Sequence, residues 1–110
     1  MKNKDASIES EKRVKNGFNA AIALFHRRWT MRIIWELRDG PVTFRQLQMA
    51  CSEVSSSVLN ARLVELRGAH LVEHASGEGY ALTTWGDELL VAVRPMARWA
   101  GRWHRAVRQN

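Results

Sequence analysis

Two helix-start signals lie close together in VTFRQLQMACSEVSSSVLNARLVELRG, residues 42–68, and they leave few folds open. Thr43 followed by Gln46 is a capping box, in which the hydroxyl accepts the Gln46 amide while the Gln46 side chain reaches back, and Val42 can staple onto Leu47. Ser55 can cap a second helix, flanked by Val54 and Leu59, with Leu59, Leu63 and Leu66 on one buried stripe. Gly68 ends that helix, which at 1.5 Å per residue is about 18 Å long. Two short helices joined by the tight CSEV turn make a helix-turn-helix candidate.

The residues on either side extend the pattern. LVEH and YALT are strand-like runs flanking ASGEG, whose glycines allow the positive φ of a hairpin turn, and Tyr80 and Leu82 alternate toward one face. A helix-turn-helix followed by a hairpin is a winged helix. Upstream, Val14, Phe18, Ala21 or Ile22, and Phe25 recur three or four residues apart, which predicts a first helix from near Ile8. TMRIIWELRDG predicts a second, with Ile33, Ile34 and Leu37 inward and Asp39-Gly40-Pro41 as its stop. From Thr84 onward, Leu89, Val93, Met96, Ala100, Trp103 and Val107 are spaced alternately four and three, as on one seam of a helix. Pro95 is expected to kink or restart that helix, because it lacks an amide and crowds the Val91 carbonyl.

At 110 residues the chain makes one domain, with a packed core and no need of metal or disulfide staples. No apolar run approaches the roughly 20 residues that cross a bilayer, so no membrane partner is expected. The segment MKNKDASIESEKRVKN is basic but has no apolar core behind it, which argues against export, and a single cysteine, Cys51, excludes an internal disulfide. Both fit a cytoplasmic protein. Seventeen Lys and Arg against eleven Asp and Glu give a formal charge of +6, which suggests a polyanionic partner; arginines on solvated helix faces are the alternative. His70 and His74 are four apart without a third ligand in recognisable spacing, so neither metal, cofactor nor catalysis is expected. Cys51 reads as a small buried thiol, oxidation that alters binding of such a partner being the alternative.

Taken together, the motifs resemble the HxlR-type winged-helix transcriptional regulators, relatives of the MarR group. The family pattern runs roughly W-T-x-x-I-L, G-P-x-R-F-x-E-L, I-S-x-x-x-L-x-x-R-L-x-x-L, G-L-V, Y-x-L-T-x-x-G-x-x-L and a late tryptophan. WTMRII, GPVTFRQL, VSSSVLNARLVEL, HLV, YALTTWGDEL and Trp99 are similar to it. The resemblance implies a cytoplasmic, homodimeric DNA-binding regulator joined through its terminal helices. The departures are specific. HRRW at His26 to Trp29 replaces G-G-K-W, and Thr43-Phe44 replaces R-F, with one basic side chain fewer. His70 stands for the glycine before L-V, where left-handed backbone is expected. His74 stands for a basic residue, and Glu73 and Glu78 put negative charge in the wing. The cysteine of redox-sensing members falls near Asn16, where this chain has none.

With the leucine stripe inward, Ser57, Ala61 and Val64 turn outward, flanked by Ser56, Asn60 and Glu65. The small, uncharged start of that face suits a major groove about 12 Å wide, where Asn pairs with adenine and Ala meets a thymine methyl; plain capping is the alternative for the serines. Arg45, Arg62, His74 and Ser76 complete the expected DNA-contacting set, Arg45 through phosphate or as an ordinary exposed arginine, Arg62 through phosphate or a salt bridge. The expected dimer interface joins Val14, Phe18, Ala21 and Phe25 to Leu89, Val93, Met96, Ala100, Trp103 and Val107, while Leu90, Ala97 and Trp99 cover the chain's own core. Arg94, Arg98, Arg102, Arg105 and Arg108 are expected to face Glu9 and Glu11 of a partner's first helix. Trp29 and Trp99 read as core, and Trp35, Trp85 and Trp103 as core, dimer seam or a pocket for a small aromatic effector.

The expected fold is thus mainly α with a small β-hairpin wing, one winged helix-turn-helix domain over 1–110. Its parts are an N-terminal dimerisation helix in 1–25, the helix-turn-helix and wing in 43–83, and a C-terminal dimerisation helix in 84–110. Double-stranded DNA and a second copy are the expected partners. The alternatives are a small-molecule- or redox-responsive sensor and a winged-helix protein-interaction module.

Overall fold

The computed structural model describes residues 2–52, 54–77 and 79–109, the first four of these along the backbone only. Glu53 of the turn and Glu78 of the wing lie outside the described residues. The elements run α1 (Lys2–Phe25), α2 (Thr30–Glu36), α3 (Phe44–Ala50), α4 (Ser56–Gly68), β1 (Val72–His74), β2 (Tyr80–Leu82) and α5 (Thr84–Gln109).

Local chemistry starts the two central helices where their caps sit. The Gln46 amide donates to Thr43 Oγ1 at 3.1 Å and the Thr43 amide to Gln46 Oε1 at 3.0 Å, so both arms of the capping box close. The Val58 amide donates to Ser55 Oγ at 3.2 Å and opens α4. Removing either cap hydroxyl would cost about 1 kcal/mol. Between the helices, Cys51 and Val54 fold inward and join the core with Ile33, Ile34, Leu37, Leu47, Leu59, Leu63, Leu66 and Val72. Leu24 of α1 and Leu89 of α5 pack on its edges.

β1 and β2 pair antiparallel, Val72 opposite Leu82 and His74 opposite Tyr80. Tyr80 also exchanges two backbone hydrogen bonds with Val42, of 2.9 and 2.8 Å, which stitches the wing to the residue just before the α3 cap. That approach requires glycine at Gly79, where φ is 135° and an added Cβ would lie 2.9 Å from the Val42 oxygen. At the α4 exit, His70 takes the left-handed conformation expected of it, with φ 61°. Thr83 then caps α5: its hydroxyl accepts from the Gly86 amide at 3.1 Å and donates to the His70 carbonyl at 2.5 Å.

The first helix starts earlier than expected. α1 begins at Lys2 rather than near Ile8. The apolar stripe marks where a helix can pack, but α1 is exposed from Ala6 through Ala20, so its start follows chain propensity instead. Of the two effects expected of Pro95, a restart of α5 does not occur: one helix runs through it. These protruding helices raise the radius of gyration to 17.0 Å, against about 13 Å for a compact chain of this length. The accessible surface, 8324 Å², likewise exceeds the about 6200 Å² typical of this mass.

Candidate nucleic-acid interface

α4 presents the face expected of it. Leu59, Leu63 and Leu66 are buried, whereas Ser56, Ser57, Asn60, Ala61 and Val64 are exposed. The serines at its start are ordered by one another and by α3: Ser55 and Ser57 hydroxyls are 3.3 Å apart, and Gln48 Nε2 donates to Ser56 Oγ at 2.9 Å. Gln48 carries no signal of this role in the sequence, since its partner is eight residues away and across a turn. With its oxygen accepting from Gln48, Ser56 keeps its own hydroxyl proton for a further acceptor.

Arg45 and His74, distant in sequence, line one cleft of about 550 Å³ between the start of α3 and the wing, together with Thr43, Phe44, Gly77, Gly79 and Tyr80. The Val42–Tyr80 bridge creates this proximity. The His74 ring lies 4.7 Å from the Tyr80 ring, and Arg45 is exposed with no ion pair among the described residues. Ser76 is exposed at the wing tip.

Arg62 departs from the expected DNA-contacting set. Its Nη1 is 2.8 Å from Glu65 Oε1, its Nε donates to the Arg28 carbonyl at 3.0 Å, and its side chain is only 16% exposed. Of its two expected roles, the salt bridge is the one present, because the leucine stripe turns Arg62 toward the body rather than outward.

The HxlR-like helix-turn-helix family model matches residues 24–108. The chain belongs to that family. Among relatives, the HTH-type regulator YvaP of Bacillus subtilis is 28% identical over 92 residues, covering 78% of this chain and 85% of YvaP. The transcriptional regulator YodB of Bacillus subtilis is 31% identical over 87 residues, covering 74% of this chain and 78% of YodB. The quinone-bound YodB crystal structure superposes with a TM-score of 0.71 at 31% identity, covering 78% of this chain and 96% of that one. A possible HxlR family transcriptional factor from Thermoplasma volcanium GSS1 gives 0.71 at 28% identity, covering 76% and 81%. The HxlR-like chain is therefore a DNA-binding transcriptional regulator with a winged helix-turn-helix fold.

In this HxlR-like chain Trp29 lies where expected and Trp99 does not. Trp29 packs against the core and Trp35 is half-buried, but Trp85, Trp99 and Trp103 are exposed. Trp99, expected to cover the chain's own core, instead stacks on Trp103 with ring centroids 5.6 Å apart, and both are about half exposed. A residue four positions from Trp103 shares its face, and on that face neither side chain meets the body. The seam also shortens. Val93 is buried within the chain and Leu89 packs on its core, so the exposed large side chains of the expected seam are Met96, Trp103 and Val107, joined by Trp99. On α1, Val14, Phe18 and Ile22 are exposed, while Ala21 and Phe25 are half-buried against the body.

Cys51 is buried, and loss of solvation pushes its thiol above the usual range, an effect that the Arg32 charge reduces and Glu36 reinforces. No group of three or more potential metal ligands occurs among the described residues, and no helix there is long and apolar enough to cross a membrane.

Proposed function

We propose that this regulator works in the cytoplasm as a homodimer on double-stranded DNA, by binding alone and without catalysis. Ser57, Asn60, Ala61 and Val64 of α4 face base edges in the major groove, Ser56 flanks them, and Arg45 and His74 meet backbone phosphates from the cleft beside the wing. The observation that carries this reading is the exposed, uncharged outer face of α4, held by a cap at its start and a fully buried leucine stripe behind it. Ala and Ser let that backbone approach a groove closely, and Asn60 supplies the paired donor and acceptor that adenine requires.

Dimerisation is supported by the apolar faces left uncovered on α1 and α5. A standard interface takes about 800 Å² from each partner, well within the surplus surface of the single chain. Trp103→Glu puts a charge into that face. It is expected to shift the protein toward monomer in sedimentation while leaving the winged helix folded, and to reduce operator binding far more than nonspecific binding. A Trp103→Glu protein that stays dimeric with full operator affinity would refute this interface.

A second reading, response to a small aromatic effector, is favoured by one groove between α2 and α5. Met31, Arg32, Trp35, Val93, Met96, Ala97 and Ala100 line about 520 Å³, a volume in the range of small-molecule sites. YodB has been solved with quinone bound. In this chain thiol chemistry would fall to Cys51, whose burial and raised pKa keep it protonated and out of reach. The groove thus favours noncovalent stacking on Trp35, which quenching of tryptophan fluorescence by a planar aromatic acid would report and Trp35→Leu would abolish.

A further inference from the structure

α4 is held to the rest of the molecule by its leucines, by Gln48 of α3 at its first residue, and by a polar cluster at its flank. At its buried face it packs through leucines. At its flank, Glu65 Oε1 receives Arg27 Nη2 at 2.6 Å and Arg62 Nη1 at 2.8 Å, and Arg62 Nε donates to the Arg28 carbonyl at 3.0 Å. Arg27 and Arg28 belong to the short link between α1 and α2. Two of these bonds, Arg27 to Glu65 and Arg62 to the Arg28 carbonyl, therefore join the helix that faces DNA to the base of the helix that reaches away from the body, and the Arg62–Glu65 pair within α4 ties the two together.

That link also holds a residue in a sparsely populated backbone conformation. Trp29 adopts φ 79°, ψ −14°, the left-handed region, which a bulky aromatic residue rarely occupies. The Arg28 guanidinium lies 5.0 Å from its ring centroid. Residues held in such conformations persist only where their surroundings over-determine them. Here the surroundings are the core on one side of Trp29 and the Glu65 group on the other end of the link. Glu65 Oε2 is buried with no protein partner, so the carboxylate is positioned by the arginines on its other oxygen.

We propose that Glu65, with Arg27 and Arg62, is a positioning latch that fixes the angle between α1 and α4 and thereby sets the half-site spacing the regulator accepts. The inference rests on the dimeric reading above, in which α1 and α5 join two copies. Ser56 stands nine residues along α4 from Glu65, about 13.5 Å at 1.5 Å per residue. A swing of about 10° at the latch would move Ser56 by about 2.4 Å, most of the roughly 3.4 Å rise of one base pair. Leucine packing alone resists separation more than pivoting, because apolar contacts are non-directional. Bonds to a carboxylate oxygen fix direction as well as distance.

The test is selection from a duplex library in which two half-sites are separated by variable spacers, using the full chain and its Arg27→Met, Arg27→Lys and Glu65→Gln variants. Wild type is expected to prefer one spacing. Arg27→Met should reduce the discrimination against spacers one base pair longer or shorter about fivefold, the scale of a partly exposed ion pair, with the half-site motif unchanged. Arg27→Lys, which keeps a cation for Glu65, should restore most of the discrimination, and Glu65→Gln should behave as Arg27→Met. Unaltered spacing preference in Arg27→Met and Glu65→Gln would overturn the latch alone. Loss of spacing preference and half-site motif together, in step with a lower melting temperature, would reduce Glu65 to a stabilising role and also overturn it. A wild-type chain that enriches only single half-sites would overturn the dimeric reading, and the latch with it.

Discussion

Two glycines of α5 should respond in opposite directions to the same substitution. At Gly86 an added Cβ would collide with the Leu71 carbonyl oxygen and lie 3.1 Å from two Leu82 side-chain atoms. The first neighbour is backbone, held by its own hydrogen bond from the Thr83 amide at 3.0 Å, so it cannot swing aside as a side-chain tip would. Relief requires α5 to move about 1 Å away from the hairpin, which against fixed backbone falls at the upper end of overpacking costs, about 2–3 kcal/mol. Alanine's helix propensity returns about 1 kcal/mol. The net expectation for Gly86→Ala is a loss of about 1–2 kcal/mol, with weaker docking of α5 on the wing. At Gly101, on the same helix, nothing lies within 4 Å of the added Cβ. Only the propensity gain remains there, and Gly101→Ala should stabilise by about 0.5–1 kcal/mol. Urea unfolding of both variants and wild type at one protein concentration, with m-values compared, measures each change. A neutral or stabilising Gly86→Ala would show that α5 does not sit against Leu71 as described.

Arg45→Ala should lower the slope of log affinity against log salt by about 0.9 for each phosphate left without its cation, twice over in a dimer, with sequence preference unchanged. An identical slope would remove Arg45 from the interface. Cys51 should resist thiol-specific labelling in the folded chain and react fully in denaturant, and rapid native labelling would contradict its burial. Because the folded thiol titrates above the unfolded one, its contribution to stability is fully present below the unfolded value and is lost as pH rises toward the folded value.

Much of the body is legible in the sequence because its instructions are local. Thr43 and Gln46, or Ser55 and Val58, meet within one helical turn, so their residue types and spacing suffice to place a helix start. The contacts that shape the candidate interface are long-range. Val42 with Tyr80 and Arg27 with Glu65 are each 38 residues apart, and neither pair carries a pattern that distinguishes it from other hydrophobic or charged residues on the surface. The last helix shows a different limit. Periodicity groups Val93 with Trp103 because both recur on apolar spacing, but it does not reveal where the body ends and the exposed part of α5 begins. Arg62 is ambiguous in the sequence for a related reason: a basic residue beside a buried stripe can serve either DNA or a neighbouring carboxylate, and only the position of Glu65 and the Arg28 carbonyl decides.

On the proposed reading, the outer face of α4 meets bases in two copies related by a two-fold axis. Selection of bound sequences from random duplexes by wild type and by Asn60→Ala tests it directly. The expected wild-type result is a motif of two inverted half-sites about 34 Å, one DNA turn, apart. Asn60→Ala should lose preference at one position in each half, at a cost of about 1–3 kcal/mol per base pair read, and keep the rest. A wild-type pool without a paired motif, or an Asn60→Ala pool with the wild-type motif intact at every position, would contradict the account.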